Sequence, residues 1–364
     1  MWRYALYRSR SRTADTVLTE LGGPGLAVLS GQFQLSRFPE MHKTISDRYN
    51  FLFIEEPWVT TELSDECRTS LRSFYRSVRS GDRSAPGRAE DMRVRCISGS
   101  DRTGRRAAWG FDKQSYSSLV REIEKRERIQ IRGFIGASFG SVRLTYLDTA
   151  DLKWAVLVRP FPVGVSGRDL LSARARAVSR FWHDVTQAAS AERAGSRRDA
   201  RSVPISTFDM LSAAVEFGYL DKESVSKVKR EVRAGDLGPL GDLSDLLWMR
   251  YGEYDLSPAF LAYSQEVCAN VSGWPSWSGR MATPSDILVA AHLPCGQKPV
   301  VHADSPFMGK LCIAFSPDDS VVPERLVRSS FADGVHAWVA SDERAHGSLG
   351  GLTSCLEKVL ASSR

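Results

Sequence analysis

Two kinds of apolar pattern alternate along the chain. Short runs rich in β-branched and aromatic residues stand at 16–19, 49–54, 129–135, 154–158, 310–315 and 336–340, each bounded by polar, glycine or proline residues. Runs of this kind predict buried strands. Between the early ones, helical character is expected at 33–42, 64–80 and 115–128. Leu119, Val120 and Ile123 among many charges mark the last of these as an amphipathic surface helix. Residues 79–110 are rich in Gly, Ser, Arg and Asp and read as an exposed excursion or mobile loop. Strands alternating with helices imply a parallel sheet with helices on its faces.

The pattern changes near residue 167. From there to 268 the periodicity is helical, with helices expected at 170–189, 206–217, 222–234 and 243–251. The strand pattern returns at 310–315. A helix follows from 324, then a last strand at 336–340, a loop over 341–351 and a C-terminal helix. This divides the chain into a core of 1–165 and 295–364 and a mostly helical insertion of 166–294.

The chemistry centres on residues 129–147. A β-branched run turns through Gly136-Ala137-Ser138-Phe139-Gly140 and is expected to continue as a helix past Val142, Leu144 and Leu147. G-x-S-x-G between strand and helix is the signature of a nucleophile elbow. A serine on so sharp a turn needs neighbours that nearly lack side chains, and Gly136 and Gly140 meet that need. The elbow lifts the Ser138 hydroxyl above the sheet and aims the Phe139 N–H at a developing oxyanion. Upstream, Leu21-Gly22-Gly23-Pro24-Gly25 can continue neither strand nor helix. Its backbone N–H groups are free of blocking side chains and suit the second half of an oxyanion hole.

Ser138 is a weak nucleophile unless an imidazole takes its proton, and a carboxylate must hold that imidazole in one tautomer. Among the six histidines, His346 lies in the loop after the last strand, next to Gly347. His336 opens that strand, His183 lies in the insertion, and His42, His292 and His302 fall in the wrong part of the order. Asp318 and Asp319, in the Pro-flanked turn after the strand at 310–315, are the candidate acids. The chain order is then Ser, Asp, His.

Composition changes this picture little. Hydrophobic residues at 42% and charged residues at 25% are ordinary for a globular protein large enough to bury a sizeable core. The net charge of +6 is arginine spread over segments such as 8–12 and 193–201, without aromatic interleaving, so no nucleic-acid partner is expected. The six cysteines form no C-x-x-C pair, so neither a metal nor a cofactor is expected, and their spacing leaves disulfides open. The N-terminal residues lack a long apolar run after the basic ones, and no stretch approaches the ~18 apolar residues of a membrane span. The expected location is cytoplasmic, with no membrane partner.

Several patches together resemble the α/β-hydrolase serine peptidases that include the proline iminopeptidases and actinobacterial tripeptidyl aminopeptidases. Gly22-Gly23-Pro24-Gly25 matches that family's H-G-G-P-G loop, with Leu21 in place of the histidine. Residues 136–141 resemble its G-G-S-W/Y-G elbow, and Asp319-Ser320-Val321-Val322-Pro323 is similar to its D-P-V-T-P acid loop, which singles out Asp319 over Asp318. His346-Gly347 with Ser354-Cys355, and Cys268 with Trp274-Pro275, resemble the tripeptidyl aminopeptidase branch. The resemblance implies an α/β-hydrolase fold with a mostly parallel sheet and a helical lid. It also implies a Ser138–His346–Asp319 triad and an oxyanion hole made by the Gly25 and Phe139 N–H groups.

Two departures stand out. Where the family carries D-x-R-G-x-G, this chain has Glu55-Glu56-Pro57-Trp58, which implies a different pocket floor. The insertion also lacks a Glu-rich patch for a substrate amino group; Glu216, Glu253 and Glu266 are the candidates, each expected at the surface. Phe181, Trp182, Trp248 and Tyr254 are the expected aromatic lining of a lid over Ser138. Three readings follow: a hydrolase of a peptide or amide bond on a small or short-peptide substrate, the same machinery used on an ester or thioester, or a non-catalytic binding module. The intact Ser, Asp and His favour the first two.

Overall fold

The computed structural model describes residues 2–11, 13–30, 35, 38, 43–104, 107–189, 205–250, 255–296, 307, 309–331 and 334–361, with backbone alone at 43–44, 180–182 and 184–189. The helix expected at 33–42 falls outside the described residues except for Leu35 and Phe38, both buried.

Seven strands form one sheet: β1 (Tyr4–Tyr7), β2 (Asp15–Glu20), β3 (Asn50–Ile54), β4 (Gln130–Ala137), β5 (Trp154–Val158), β6 (Lys310–Phe315) and β7 (Val335–Ala340). Their spatial order is β1-β3-β2-β4-β5-β6-β7. Only β1 runs antiparallel, against β3; all other pairs are parallel. β1 is not among the expected strands. Its four residues are only half-buried at the sheet edge and flanked by arginines, so the apolar signal is diluted.

β3 and β5 are buried along their whole length, as expected of strands covered on both faces. Alternate residues serve opposite cores. Phe51, Phe53, Ile135, Val156 and Cys312 face one cluster with Leu352, Leu356 and Val359 of the C-terminal helix. Leu18, Leu52, Ile54, Phe134, Leu157 and Ile313 face the other. Each fully buried side chain of this size contributes about 1.5–3 kcal/mol.

Past a single helical turn at Lys43–Ser46, three longer helices precede the insertion: α1 (Asp65–Arg79), α2 (Ala85–Met92) and α3 (Lys113–Glu127). The stretch at 79–110, expected as an exposed excursion, is instead packed. Ala85, Ala89 and Met92 bury one face of α2, and a π-helical turn continues it over Arg93–Ile97. Cys96 is disulfide-bonded to Cys67 of α1, and Trp109 is fully buried with its indole N–H donating to the Cys96 carbonyl at 2.8 Å. The polar composition of the segment masked this periodicity.

Between β5 and β6 the described residues hold α4 (Gly167–Ala189), α5 (Thr207–Glu216), α6 (Lys222–Arg233), α7 (Gly238–Trp248), α8 (Pro258–Asn270) and α9 (Pro284–Ala291), with no strand of the sheet among them. Two helices beyond those expected, α8 and α9, begin at prolines capped by Ser257 and Thr283. After β6 come α10 (Glu324–Ser330) and, past β7, α11 (Leu352–Leu360). Two further disulfides, Cys268–Cys295 and Cys312–Cys355, tie α8 to the turn after α9 and β6 to α11. All six cysteines are therefore paired. No helix among the described residues is long and apolar enough to cross a membrane.

Candidate active site

β4 sits at the middle of the sheet, between β2 and β5, and ends at Ala137. Ser138 follows with φ of +49°, the strained conformation an elbow requires. A side chain at Gly136 would lie 2.8 Å from the Ser141 Cα, and one at Gly140 only 2.5 Å from the Glu20 carbonyl oxygen. Both positions must therefore be glycine for the turn to close against β2. The helix after Ser138 is 3-10 rather than α, spanning Ser138–Tyr146. Two hydrogen bonds hold the Ser138 carbonyl, from the Ser141 hydroxyl at 2.6 Å and the Phe161 N–H at 3.0 Å.

The His346 Nε2 lies 2.7 Å from the Ser138 Oγ, and its Nδ1 lies 2.8 Å from Asp319 Oδ2. The other Asp319 oxygen accepts from the N–H groups of Val321 at 2.8 Å and Val322 at 3.0 Å. Asp319 and His346 are both buried, whereas Asp318 is exposed on the same turn. The three sequence-derived residues thus form one hydrogen-bonded chain, and Asp319 is the carboxylate that joins it.

Arg159, unremarked in the sequence, organises the histidine loop. It stands just past β5 with φ of +47° and is buried. Its guanidinium donates to the carbonyls of Glu343, Arg344 and Ala345 at 2.5, 3.1 and 2.5 Å, the three residues before His346. The same guanidinium lies 3.8 Å from Asp319. Burial pulls its pKa down, and the charges of Asp319 and Glu343 oppose that. From the insertion, the Gly218 carbonyl accepts the His346 N–H at 2.9 Å, and Tyr219 meets the imidazole edge-on at 5.1 Å.

The glycine loop departs from expectation. Gly22, Gly23 and Gly25 all have positive φ, and the Gly23–Pro24 peptide is cis. A side chain at Gly22 would come within 3.9 Å of the Ser138 Cβ, so the loop lies against the serine at Gly22. Gly25 faces elsewhere. Its N–H donates to Glu56 Oε2 at 2.5 Å, and its Cα is packed under Ala259 and Met249 of the insertion. A donor already given to a carboxylate is not available to an oxyanion, so Gly25 loses the role expected of it. The Phe139 N–H heads the 3-10 helix, where no intrahelical acceptor claims it.

Glu55 and Glu56, which follow β3, are both buried. The Glu55 carboxylate accepts from the N–H groups of Val28, Leu29 and Ser30 at 2.7, 3.2 and 3.1 Å. Glu56 also meets Arg143, at 2.7 Å. Burial pushes the Glu56 carboxyl up to about 8, against the pull of Arg143 and with the push of Glu266.

The expected lining differs more. Trp248 is fully buried among Tyr75, Phe208 and Phe260, with its indole N–H donating to the Ser212 hydroxyl at 2.9 Å. It is core rather than substrate lining, because an indole at helical spacing among apolar neighbours finds packing before solvent. Glu253 and Tyr254 lie outside the described residues, as do the side chains of Phe181 and Trp182. Glu216 and Glu266, expected at the surface, are buried: Glu216 against Arg174 at 3.3 Å and Glu266 against Arg143 at 2.9 Å. Among the described insertion residues, Tyr219 packs against the imidazole of the site.

The chain has the α/β-hydrolase fold. The strand order, the lone antiparallel edge strand, the elbow after the central strand, and the acid and histidine loops after β6 and β7 all belong to it. No known family profile matches the chain, and no curated protein matches it. Among solved structures it is similar to esterase E22, with a TM-score of 0.45 and 10% identity over 99% of this chain and 92% of that one. It is also similar to a homoserine O-acetyltransferase from Staphylococcus aureus, with a TM-score of 0.43 and 14% identity over 99% and 86%. An enol-lactonase from Burkholderia xenovorans LB400 gives a TM-score of 0.39 and 8% identity over 99% and 96%.

Proposed function

We propose that this protein is a serine hydrolase that works through an acyl-enzyme. The observation that carries the reading is the unbroken chain from Ser138 Oγ through the His346 imidazole to Asp319, at 2.7 and 2.8 Å. His346 Nε2 takes the Ser138 proton as the oxygen attacks an acyl carbon, and Asp319 stabilises the imidazolium that forms. The oxyanion is received by the Phe139 N–H and a second donor from the glycine loop where it meets the serine at Gly22. Each such donor is worth about 10²–10³ in rate. His346 then protonates the leaving group, and water resolves the acyl-enzyme by the same steps in reverse.

The insertion at 166–294 acts as the lid on a core of 1–165 and 295–364. Support comes from Gly218 and Tyr219 against His346 and from Ala259 and Met249 against Gly25. The substrate is a small molecule or short peptide cleaved at a peptide or amide bond, the reading that the loop, elbow and acid-loop resemblances favour. A second reading, an ester or thioester, is favoured by one observation. Of the three candidate glutamates in the lid, the two among the described residues, Glu216 and Glu266, are held by Arg174 and Arg143, leaving neither carboxylate for a substrate amino group. Three disulfides suit an oxidising compartment better than the reducing cytoplasm first expected.

A fluorophosphonate probe should label the wild-type protein on Ser138 and leave Ser138→Ala unlabelled and inactive, with its melting temperature within a few degrees. A panel of p-nitroanilide and p-nitrophenyl acyl substrates then separates the two bond classes. Wild-type rates in Ser138→Ala would remove Ser138 as nucleophile.

A further inference from the structure

Beneath the glycine loop lies a buried charge cluster that the proposed reaction does not use. Arg143 belongs to the 3-10 helix that Ser138 begins, and it is fully buried. Its guanidinium meets Glu20 at the end of β2, Glu56 after β3 and Glu266 on α8, at 2.6, 2.7 and 2.9 Å. The three carboxylates are each at most 1% exposed. Tyr116 of α3 closes the cluster by a hydrogen bond to Glu20, the Phe111 N–H donates to Glu266 at 2.9 Å, and the Phe111 ring lies 5.0 Å from the guanidinium.

Glu56 is the member that also reaches the glycine loop. Its Oε2 accepts the Gly25 N–H at 2.5 Å. Its Oε1 sits so close beneath Gly23 that a side chain there would be 2.4 Å away. The loop has no other regular structure, and its glycines are free to adopt many conformations in the absence of contacts. One carboxylate therefore spans from the elbow, through Arg143, to the loop beside Ser138.

We infer that Glu56 and Arg143 are positioning residues that clamp the glycine loop to the elbow and so fix the geometry of the oxyanion hole. The inference rests on the reading of Ser138 as nucleophile. Catalytic donors must be held within about 0.5 Å of their productive place, and rigid partners must do the holding. An ionic cluster serves this better than apolar packing. Apolar replacements of buried ion pairs are often neutral or stabilising, so a directional clamp is the gain that explains the charges here.

One guanidinium faces three carboxylates. Burial raises the pKa of Glu56, while the Arg143 charge and the Gly25 N–H draw it towards its charged form. The two bonds that make the clamp are therefore those a carboxylate at 56 strengthens.

The test compares the full-length wild-type protein with Glu56→Ala, Glu56→Gln and Arg143→Met. The readouts are amide hydrogen exchange over residues 21–29, kcat and KM on a p-nitrophenyl acyl ester, and the rate of fluorophosphonate labelling. Glu56→Ala should speed exchange in that segment and lower kcat by roughly 10–100-fold with KM changed less than about twofold. Arg143→Met should do the same. Glu56→Gln, which keeps an acceptor for Gly25, should recover part of the loss. Unchanged exchange and kcat in Glu56→Ala, or no recovery in Glu56→Gln, would overturn the clamp. Should Glu56→Ala fail to fold, Glu56→Gln decides alone, and exchange and kcat equal to wild type in it would overturn the clamp. A wild-type protein that never labels on Ser138 defeats the hydrolase reading instead, and the exchange data still decide whether the loop is clamped.

Discussion

Arg159 and Asp319 face each other across 3.8 Å at the floor of the site, and the same guanidinium holds the three carbonyls that lead into His346. One side chain thus sets both partners of the imidazole: the acid by charge and the loop by hydrogen bonds. Arg159→Met should leave the three carbonyls of Glu343, Arg344 and Ala345 without this donor and Asp319 without its neighbour. We expect kcat to fall by roughly 100-fold, the scale of an ångström-sized misplacement, with Ser138 still labelled slowly by a fluorophosphonate. Wild-type kcat in a folded Arg159→Met protein would make the residue merely structural.

The two adjacent acids give a sharper contrast. Asp319 accepts from His346 Nδ1, Val321 and Val322, whereas Asp318 is exposed. An amide at 319 favours the wrong imidazole tautomer, and losses of about 10⁴-fold in kcat accompany such a change. Asp319→Asn should show a loss of that order and Asp318→Asn almost none. A larger loss in Asp318→Asn would reverse the assignment.

The elbow, the acid loop and the histidine loop were legible because each is a local sequence feature: a glycine spacing, a turn after a strand, a glycine-flanked loop after the last strand. The strands at 154–158 and 310–315 were legible because burial on both faces leaves an unbroken apolar run. What stayed hidden was long-range. Arg159 reads as a strand end, and nothing local says that it reaches residues 343–345. Arg143 reads as a surface arginine on a helix, yet it pairs with acids from three separate elements. The role given to Gly25 failed for the same reason, since the carboxylate that takes its N–H lies 31 residues away. The helices α8 and α9 carry local start signals, Ser257-Pro258 and Thr283-Pro284, although neither helix is among those expected from the periodicity.

The Cys312–Cys355 bond joins β6, which ends next to the Asp319 loop, to the helix that follows the His346 loop. It closes a loop of 43 residues that contains both Asp319 and His346. Chain-entropy reasoning assigns such a bridge roughly 4 kcal/mol. The double variant Cys312→Ser, Cys355→Ser should therefore melt well below the wild type. Protein produced in a reducing compartment should match the double variant more than the oxidised wild type. Equal melting temperatures with and without reductant would show that this bridge contributes nothing to stability.

His292 supplies an acid-dependent stability that is independent of the site. Its ring stacks on Trp274 with centroids 4.2 Å apart, and it is buried. The Leu288 carbonyl, 2.6 Å from Nδ1, can only accept, so Nδ1 carries the proton. The Nε2 is then the acceptor for the Tyr263 hydroxyl at 2.8 Å. Protonating Nε2 would break that bond and bury a charge, and burial accordingly pulls the His292 pKa down to about 4, with Arg174 also disfavouring the cation. The folded pKa lies below the unfolded value of about 6.5. The stability that the neutral ring contributes is therefore complete above pH 6.5, declines as the pH falls, and is gone below about 4. The slope is at most roughly 1.4 kcal/mol per pH unit. Melting temperatures measured from pH 7 to pH 4 should drop more steeply in the wild type than in His292→Gln, whose amide offers an acceptor to Tyr263 without titrating. Parallel curves for the two proteins would mean that His292 takes up its proton in the folded state as readily as in the unfolded chain.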